Sequence, residues 1–223
     1  MNDMIVERPL REASEAHVAL SLVLDVSASM QGNSIKLLNS AVNKMIDEMK
    51  DDERLKNIVD LAIFVFGSQG RQNIFQGFRA IADCATVNLV ANDDGTYVVS
   101  ALECAIDITQ KRCGAYDKAG GSYKPWIVII TDGQFHDGEM DLNKIGNIMK
   151  ERESQGKLQI FGLGVDEYVR TQVEKLTNNP SHIIDARSAN FVEFLSWIGK
   201  SLKAVSNKEG VGPVELPPLR FTV

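Results

Sequence analysis

The sequence predicts an α/β protein built on one mostly parallel sheet, and two features of the chain carry this prediction. Apolar runs of strand length alternate with stretches whose apolar residues recur at helical spacing. The first apolar run, residues 19–24, is nearly continuous and lacks the polar–apolar alternation of a half-exposed strand. Such a run fits a strand buried on both faces, as in a parallel sheet with helices on each side.

The individual elements follow from the same two patterns. Strands are expected where β-branched and aromatic residues cluster between turn residues. Helices are expected where apolar residues fall three and four apart, as at Ile35, Leu38 and Val42. The predicted strands span 17–25, 59–66, 72–78, 126–131, 158–164 and 182–185. The predicted helices span 35–49, 97–112, 142–155, 167–177 and 190–205, and segment 86–90 is expected to be partly extended.

Composition favours one domain. The chain has 223 residues, of which 44% are hydrophobic and 24% are charged, which is ample for a globular core. No internal repeat and no second set of core elements is visible. We therefore expect an N-terminal arm at 1–16, one domain at 17–205, and a Pro- and Gly-containing C-terminal tail at 206–223.

Charge and cysteine content limit the functional classes. A net charge of −6 without any basic run argues against a nucleic-acid surface. No window of about twenty apolar residues occurs, so we expect no membrane span. The charged N-terminus does not resemble a signal peptide, and three cysteines form neither a disulfide framework nor a zinc motif. These features predict a cytoplasmic protein with reduced thiols.

Oxygen-bearing side chains follow two of the predicted buried strands. Asp25, Ser27 and Ser29 come at the end of the first strand, and Asp132 follows the strand at 126–131. If the chain stays extended past Asp25, the alternate residues point the same way. A lone strand-end Asp is commonly a cap or turn residue. Two of them at the carboxyl edge of a sheet, together with two hydroxyls, predict a site for Mg2+ or Mn2+.

The stretch Asp25-Val-Ser-Ala-Ser29 resembles the D-x-S-x-S signature of von Willebrand factor A domains. The resemblance extends to Thr131-Asp-Gly-Gln134 and, for a Thr in a loop before a helix, to Thr96 in Asp94-Gly-Thr96. It implies a Rossmann-like, doubly wound domain whose edge strand at 72–78 is antiparallel. Ala28 departs from the family's usual Gly, which restricts the backbone without removing a ligand.

The resemblance also implies a metal-ion-dependent adhesion site (MIDAS) made of Asp25, Ser27, Ser29, Thr96 and Asp132. In this family one coordination position stays open for an Asp or Glu of a partner protein. Two carboxylates balance a divalent cation, which leaves it electrophilic enough to attract that external carboxylate. The implied function is a non-enzymatic, metal-dependent protein-interaction module.

Within the family, the chain most resembles the bacterial TerY-type proteins of tellurite resistance and stress response. The stretches that carry this resemblance are Leu24–Gly32, Gly121–Gly133 and Leu216-Pro-Pro218. The TerY-type proteins are associated with kinase and phosphatase partners inside the cell.

Three alternatives remain open on the residues themselves. A Mg2+-dependent phosphohydrolase of the haloacid-dehalogenase type needs a second Asp where Ser27 stands, and neither motif contains a cation for phosphate. A triad of Ser27, His136 and Asp132 is the second alternative, and a metal-independent scaffold is the third. Five acidic loop residues either ring the site or are solvated: Asp93, Asp94, Asp137, Glu139 and Asp141.

Overall fold

Six strands form a single sheet in the computed structural model, which describes residues 10–11, 14–165, 168–187, 190–207 and 216–219. The strands are β1 (Val18–Asp25), β2 (Val59–Phe66), β3 (Ile74–Ala80), β4 (Trp126–Thr131), β5 (Gln159–Val165) and β6 (Ile183–Ala186). Their order across the sheet is β3-β2-β1-β4-β5-β6. β3 runs antiparallel to β2, whereas every other described pair is parallel. The predicted fold class and its antiparallel edge strand are confirmed.

Helices pack on both faces of this sheet. They are α1 (Asn33–Lys50), α2 (Leu55–Ile58), α3 (Val99–Tyr116), α4 (Glu139–Ser154), α5 (Arg170–Glu174) and α6 (Phe191–Ser206). Short 3-10 turns occupy Ala28–Met30, Ile81–Asp83 and Pro180–His182. Within the described ranges, no helix combines the length and the apolar character needed to cross a membrane.

The core has two layers, one on each face of the sheet. Leu20, Leu22 and Leu24 of β1 face the layer that contains α1 and α6, while Ala19 and Val23 face α3 and α4. Every residue of β1 and β2 is buried. Because both faces of these strands are covered, both sets of alternate residues are selected to be apolar, which explains the continuous runs in the sequence.

Buried polar contacts fix α3 to the sheet. The hydroxyls of Ser21 and Thr109 lie 2.8 Å apart. Arg112 donates to Oδ2 of Asp60 from Nε at 2.8 Å and from its terminal nitrogen at 2.6 Å, and the Tyr116 hydroxyl donates to the same oxygen at 2.7 Å. Arg112 and Tyr116 are one helical turn apart, so both reach Asp60 only if the helix continues. The helix therefore runs past residue 112, where its end was predicted.

Segment 84–92, of which 86–90 was predicted to be partly extended, is not one of the strands of the sheet. Its backbone pairs with side chains of α1 instead of the sheet. Asn39 exchanges two hydrogen bonds with the backbone of Leu89, at 2.9 and 2.7 Å. Asn43 does the same with Val87, at 2.8 Å for both. The two amides thus satisfy backbone groups as a neighbouring strand would.

Other boundaries differ by small amounts. The acidic residues Glu139 and Asp141 lie in the first turn of α4, where they favour the helix dipole, and α4 begins earlier than predicted. α5 is shorter than the predicted helix at 167–177, and Glu167 lies outside the described residues. Most of the expected arm and tail also lies outside the described residues, which there comprise 10–11, 14–16, 206–207 and 216–219. The short helix α2 was not predicted.

Strand order determines where a ligand can bind. β1 lies between β2 and β4. The helix α1, which leads from β1 to β2, and the helix α3, which leads to β4, pack on opposite faces of the sheet. The carboxyl ends of β1 and β4 therefore border the crevice at the switch point of the sheet. Asp25 is the last residue of β1, and Asp132 follows the last residue of β4.

Candidate metal site

Asp25 forms the buried floor of the crevice. Its Oδ1 accepts the backbone N–H of Ser27 at 2.9 Å, and its Oδ2 accepts the hydroxyl of Thr131 at 2.7 Å. The side chain is fully buried. Burial raises the pKa of Asp25 to about 6, and the hydrogen bonds from Ser27 and Thr131 only partly oppose this rise. Thr131 was not among the predicted site residues.

A chain of hydroxyls links the ends of β1 and β4. The Ser27 and Ser29 hydroxyl oxygens lie 2.9 Å apart, and the Ser29 hydroxyl donates to Oδ1 of Asp132 at 2.7 Å. Ser27 is buried, whereas Ser29 is exposed and Asp132 is half-buried. The three side chains therefore extend from the buried interior to the solvent-exposed surface.

These oxygen–oxygen distances fit the octahedral coordination of a small cation. With Mg–O distances of about 2.1 Å, neighbouring ligand oxygens of an octahedron lie roughly 3 Å apart. The spacings Ser27–Ser29 and Ser29–Asp132 are close to that value. The same oxygens can therefore exchange hydrogen bonds with one another or bind a cation with little movement.

The predicted reason for the Ser27–Ser29 convergence is wrong. Ser27 is extended, with φ −64° and ψ 166°, but the chain then turns into the 3-10 turn Ala28–Met30. The two hydroxyls meet because this turn folds Ser29 back toward Ser27. Alternation along an extended strand does not bring them together.

Thr96 reaches the site from the loop before α3. Its side chain is 5% exposed. A Cβ built on Gly133 would lie 3.4 Å from Oγ1 of Thr96 and 3.8 Å from Oγ of Ser29. Both hydroxyls therefore border the space above Gly133, on the same side as Asp132. The structure brings the five predicted residues to one crevice.

The Thr96 loop is held against the loops after β1 and β2. The carbonyl of Asp93 accepts the N–H of Ala28 at 2.8 Å, and the N–H of Tyr97 donates to the carbonyl of Gly67 at 2.9 Å. The Asp93 carboxylate accepts the N–H of Ser68 at 3.2 Å and pairs with Arg71. A Cβ on Gly67 would lie 2.5 Å from that carboxylate, so the close approach requires glycine.

Two residues that the sequence analysis considered only for an alternative triad and for an acidic ring hold the Thr96 loop from the other side. Nδ1 of His136 accepts the N–H of Thr96 at 3.2 Å, and the N–H of His136 donates to the Thr96 carbonyl at 3.0 Å. The Asp137 carboxylate accepts the N–H groups of Val98 and Val99 at 2.7 and 3.1 Å, and so caps α3. We call His136 and Asp137 the bracket. It joins the segment after Asp132 to the loop that carries Thr96.

The bracket is supported in turn by α5. The Gln172 side chain accepts the N–H of Phe135 at 2.7 Å and donates to its carbonyl at 3.1 Å. Lys175 pairs with Glu139 at 3.0 Å. Of the five acidic loop residues, Asp93 and Asp137 are part-buried and bind structural partners, whereas Glu139 is exposed, in keeping with the solvated alternative.

The arrangement offers oxygen ligands only. Among the described residues, no three His, Cys, Asp or Glu side chains lie close enough together to hold a metal ion. A cation here must therefore be bound by hydroxyls as well as carboxylates. Hydroxyl and carboxylate oxygens suit hard cations such as Mg2+ and Mn2+ better than soft ones.

Fold and site together define an open α/β domain with a ligand crevice at its switch point. The family model of the von Willebrand factor type A (VWA) domain matches residues 20–197, which is most of the chain. The protein therefore belongs to the VWA family. No curated protein sequence matches it.

Solved structures share this fold. The pilus adhesin SpaC from Lactobacillus rhamnosus GG, in an open conformation, matches with TM-score 0.65 and 17% identity over 86% of this chain and 31% of that chain. Proximal thread matrix protein 1 from the mussel byssus, with a zinc-occupied MIDAS motif, matches with TM-score 0.55 and 15% identity over 83% and 48%. The SpRpn10 VWA domain matches with TM-score 0.57 and 12% identity over 80% and 95%. The chain spans about half the length of the mussel protein.

Proposed function

We propose that this VWA domain is a metal-dependent protein-interaction module. Asp25, Ser27, Ser29, Thr96 and Asp132 form a MIDAS that binds one Mg2+ or Mn2+. The observation that supports this most is the oxygen chain Ser27–Ser29–Asp132, with its spacings of 2.9 and 2.7 Å at the switch point of the sheet. The mussel structure with zinc in its MIDAS motif is in keeping with a metal at this point of the fold.

The cation attracts a carboxylate of the partner protein. Asp25 and Asp132 together balance the two positive charges of the metal, and the hydroxyls add no charge. The metal therefore retains affinity for an external Asp or Glu. Ser29, in the middle of the oxygen chain, is exposed, so the site reaches the surface, where a partner side chain can approach.

A binding role accounts for the site better than an enzymatic one. Nδ1 of His136 accepts the Thr96 N–H, and Ser27 bonds to another serine, so the contacts give no support to a hydrolytic triad. The neighbouring cations Arg71 and Lys175 are paired with Asp93 and Glu139, which leaves them poorly suited to hold a phosphate.

The cellular setting rests on the sequence resemblance to TerY-type proteins. We propose that the module acts in the cytoplasm, in a tellurite-resistance or stress-response system or beside a kinase and a phosphatase. We propose the domain bounds 17–205, with an arm at 1–16 and a tail at 206–223.

Calorimetric titration of Mg2+ and Mn2+ into chelator-treated protein tests the metal site. Wild type is compared with Asp132→Ala and with the matched control Asp94→Ala, which removes an exposed carboxylate from the Thr96 loop. We expect one-to-one binding that disappears in Asp132→Ala and persists in Asp94→Ala. Equal binding by all three proteins would place the metal elsewhere and contradict the proposal.

The open coordination position is tested in the same titrations with acetate or glutamate present. A cation with a free position should bind more tightly when millimolar carboxylate is present, whereas chloride at equal ionic strength should have no such effect. Metal affinity that is indifferent to carboxylate would contradict carboxylate recognition while leaving the metal site intact. Partner binding that survives chelation would instead favour a metal-independent scaffold.

A further inference from the structure

The C-terminal segment Leu216–Leu219 is seated on the surface of α6. The indole N–H of Trp197 donates to the Pro217 carbonyl at 2.7 Å. Leu216 and Leu219 pack against the core layer on this face of the sheet. We call the surface on which the segment lies the α6 groove. A cavity beside the segment is lined by Leu216 and Leu219 together with Phe161, Ser181, His182, Ile184 and Trp197.

The groove has the chemistry of a site for proline-containing chains. Its floor is aromatic: the Phe161 ring lies 4.5 Å from that of His182 and 5.3 Å from that of Trp197. The occupant Pro217-Pro218 has no N–H to satisfy and is stiff before it binds, so its ordering costs little entropy. A tryptophan N–H that donates to a backbone carbonyl within an aromatic groove is suited to such an extended ligand.

The groove is larger than the four residues that fill it. Surface cavities of about 510 Å³ and about 420 Å³ border the segment on its two sides. The second of these is lined by residues of both α1 and α6, including Lys44, Glu48 and Lys200. An extended chain with larger side chains therefore has further surface to contact beside the segment.

We propose that the α6 groove is a second binding site of this protein, for an extended Leu-Pro-Pro-Leu segment of a partner. The chain's own segment 216–219 is its resident occupant. This site involves none of the five metal-site residues, and the inference does not depend on the proposed metal function.

The resident occupant competes with any partner. Residues 208–215 tether it to α6, and a short tether gives an effective concentration on the order of millimolar. If the resident segment has an intrinsic Kd of about 0.1 mM, its tether weakens the apparent affinity of any partner segment about tenfold. A partner must therefore bind more tightly than the resident segment, or bind once that segment has been released.

The test uses full-length protein and a fluorescein-labelled peptide with the sequence of residues 214–221. In the released variant, Leu216→Ser and Leu219→Ser remove both leucine anchors from the chain's own segment. Peptide binding is followed by fluorescence anisotropy. We expect saturable binding to the released variant and at least tenfold weaker binding to wild type. Adding Trp197→Phe should weaken binding about fivefold, because one hydrogen bond is lost while the aromatic ring remains.

A peptide in which both leucines are serine is the matched control and should not bind. Circular dichroism and urea unfolding check that the released variant is folded, and Leu219→Ser alone replaces it if it is not. A folded variant without saturable binding up to millimolar peptide would overturn the proposal. Equal binding by wild type and the released variant would also overturn it, because the resident segment would then not occupy the ligand's site.

Discussion

Replacing Asp25 with asparagine is expected to stabilise the metal-free protein while it abolishes the response to metal. Asparagine keeps the shape of the side chain, and its carbonyl oxygen can still accept the Ser27 N–H. The Thr131 hydroxyl, which now donates to Asp25, can rotate to accept from the amide instead. The substitution therefore removes a buried charge and leaves the hydrogen bonds in place.

The size of the effect follows from the raised pKa of Asp25, about 6 against an ordinary value of 3.8. Because folding raises this pKa, the ionised form is disfavoured in the folded state, and stability is lost as pH rises from below 3.8 to above 6. The loss is below about 1 kcal/mol at pH 4, about 2 kcal/mol at pH 5 and about 3 kcal/mol at pH 7.5. Asp25→Asn should recover most of this amount in the absence of metal.

Urea unfolding in EDTA at pH 5 and pH 7.5 measures the difference between Asp25→Asn and wild type, with Asp94→Asn as the exposed control. The variant should gain more at pH 7.5 than at pH 5. Mg2+ at one hundred times its Kd should stabilise wild type by about 2.7 kcal/mol and leave the variant unchanged. A variant that is less stable than wild type in EDTA, or that still responds to Mg2+, would refute the reasoning.

Three further predictions concern residues around the crevice and at the opposite edge of the sheet. Gly133→Ala should retain metal affinity, because its Cβ makes ordinary contacts with Thr96 and Ser29. The larger Gly133→Val should weaken Mg2+ binding about tenfold in calorimetry. Similar affinities for the two variants would indicate that Thr96 does not bind the metal from this side. His136→Leu should weaken Mg2+ binding about tenfold, because the Thr96 N–H loses its acceptor. His136→Asn should bind Mg2+ as wild type does, because its carbonyl oxygen can accept that N–H. Equally weak binding by both variants would indicate that His136 acts by its shape. Asp60→Asn should cost about 3–5 kcal/mol in urea unfolding because it removes the buried charge to which Arg112 donates from two nitrogens. A loss below about 1 kcal/mol would contradict that view.

The sheet and the location of the crevice could be predicted because local signals and strand rules agree there. Both faces of the inner strands are covered, so apolar runs mark them clearly. Asp25 and Asp132 then follow from the rule that ligands sit at the carboxyl edge of such a sheet. Thr96 could not be predicted from that rule, because no strand leads directly into its loop. Only the family resemblance indicated it.

The bracket could not be predicted because its contacts join distant parts of the chain. His136 and Asp137 bind backbone groups of 96, 98 and 99, about forty residues earlier, and backbone groups leave no trace in a sequence. The same is true of Asn39 and Asn43, which satisfy the backbone of segment 84–92. Helix ends were missed for a related reason, since α3 ends where Tyr116 reaches Asp60.

Two fully buried aspartates in this sheet are satisfied in different ways, and the difference bears on the proposed metal site. Asp60, near the start of β2, is bound by Arg112, so the chain itself supplies its cation. Asp25, at the end of β1, has neutral hydrogen-bond partners, Ser27 and Thr131, among the described residues, and the nearby Asp132 raises its pKa further. Burying an uncompensated carboxylate is costly. The contrast with Asp60 therefore supports the proposal that Asp25, among hydroxyls at the crevice, takes its counter-charge from a cation in solution.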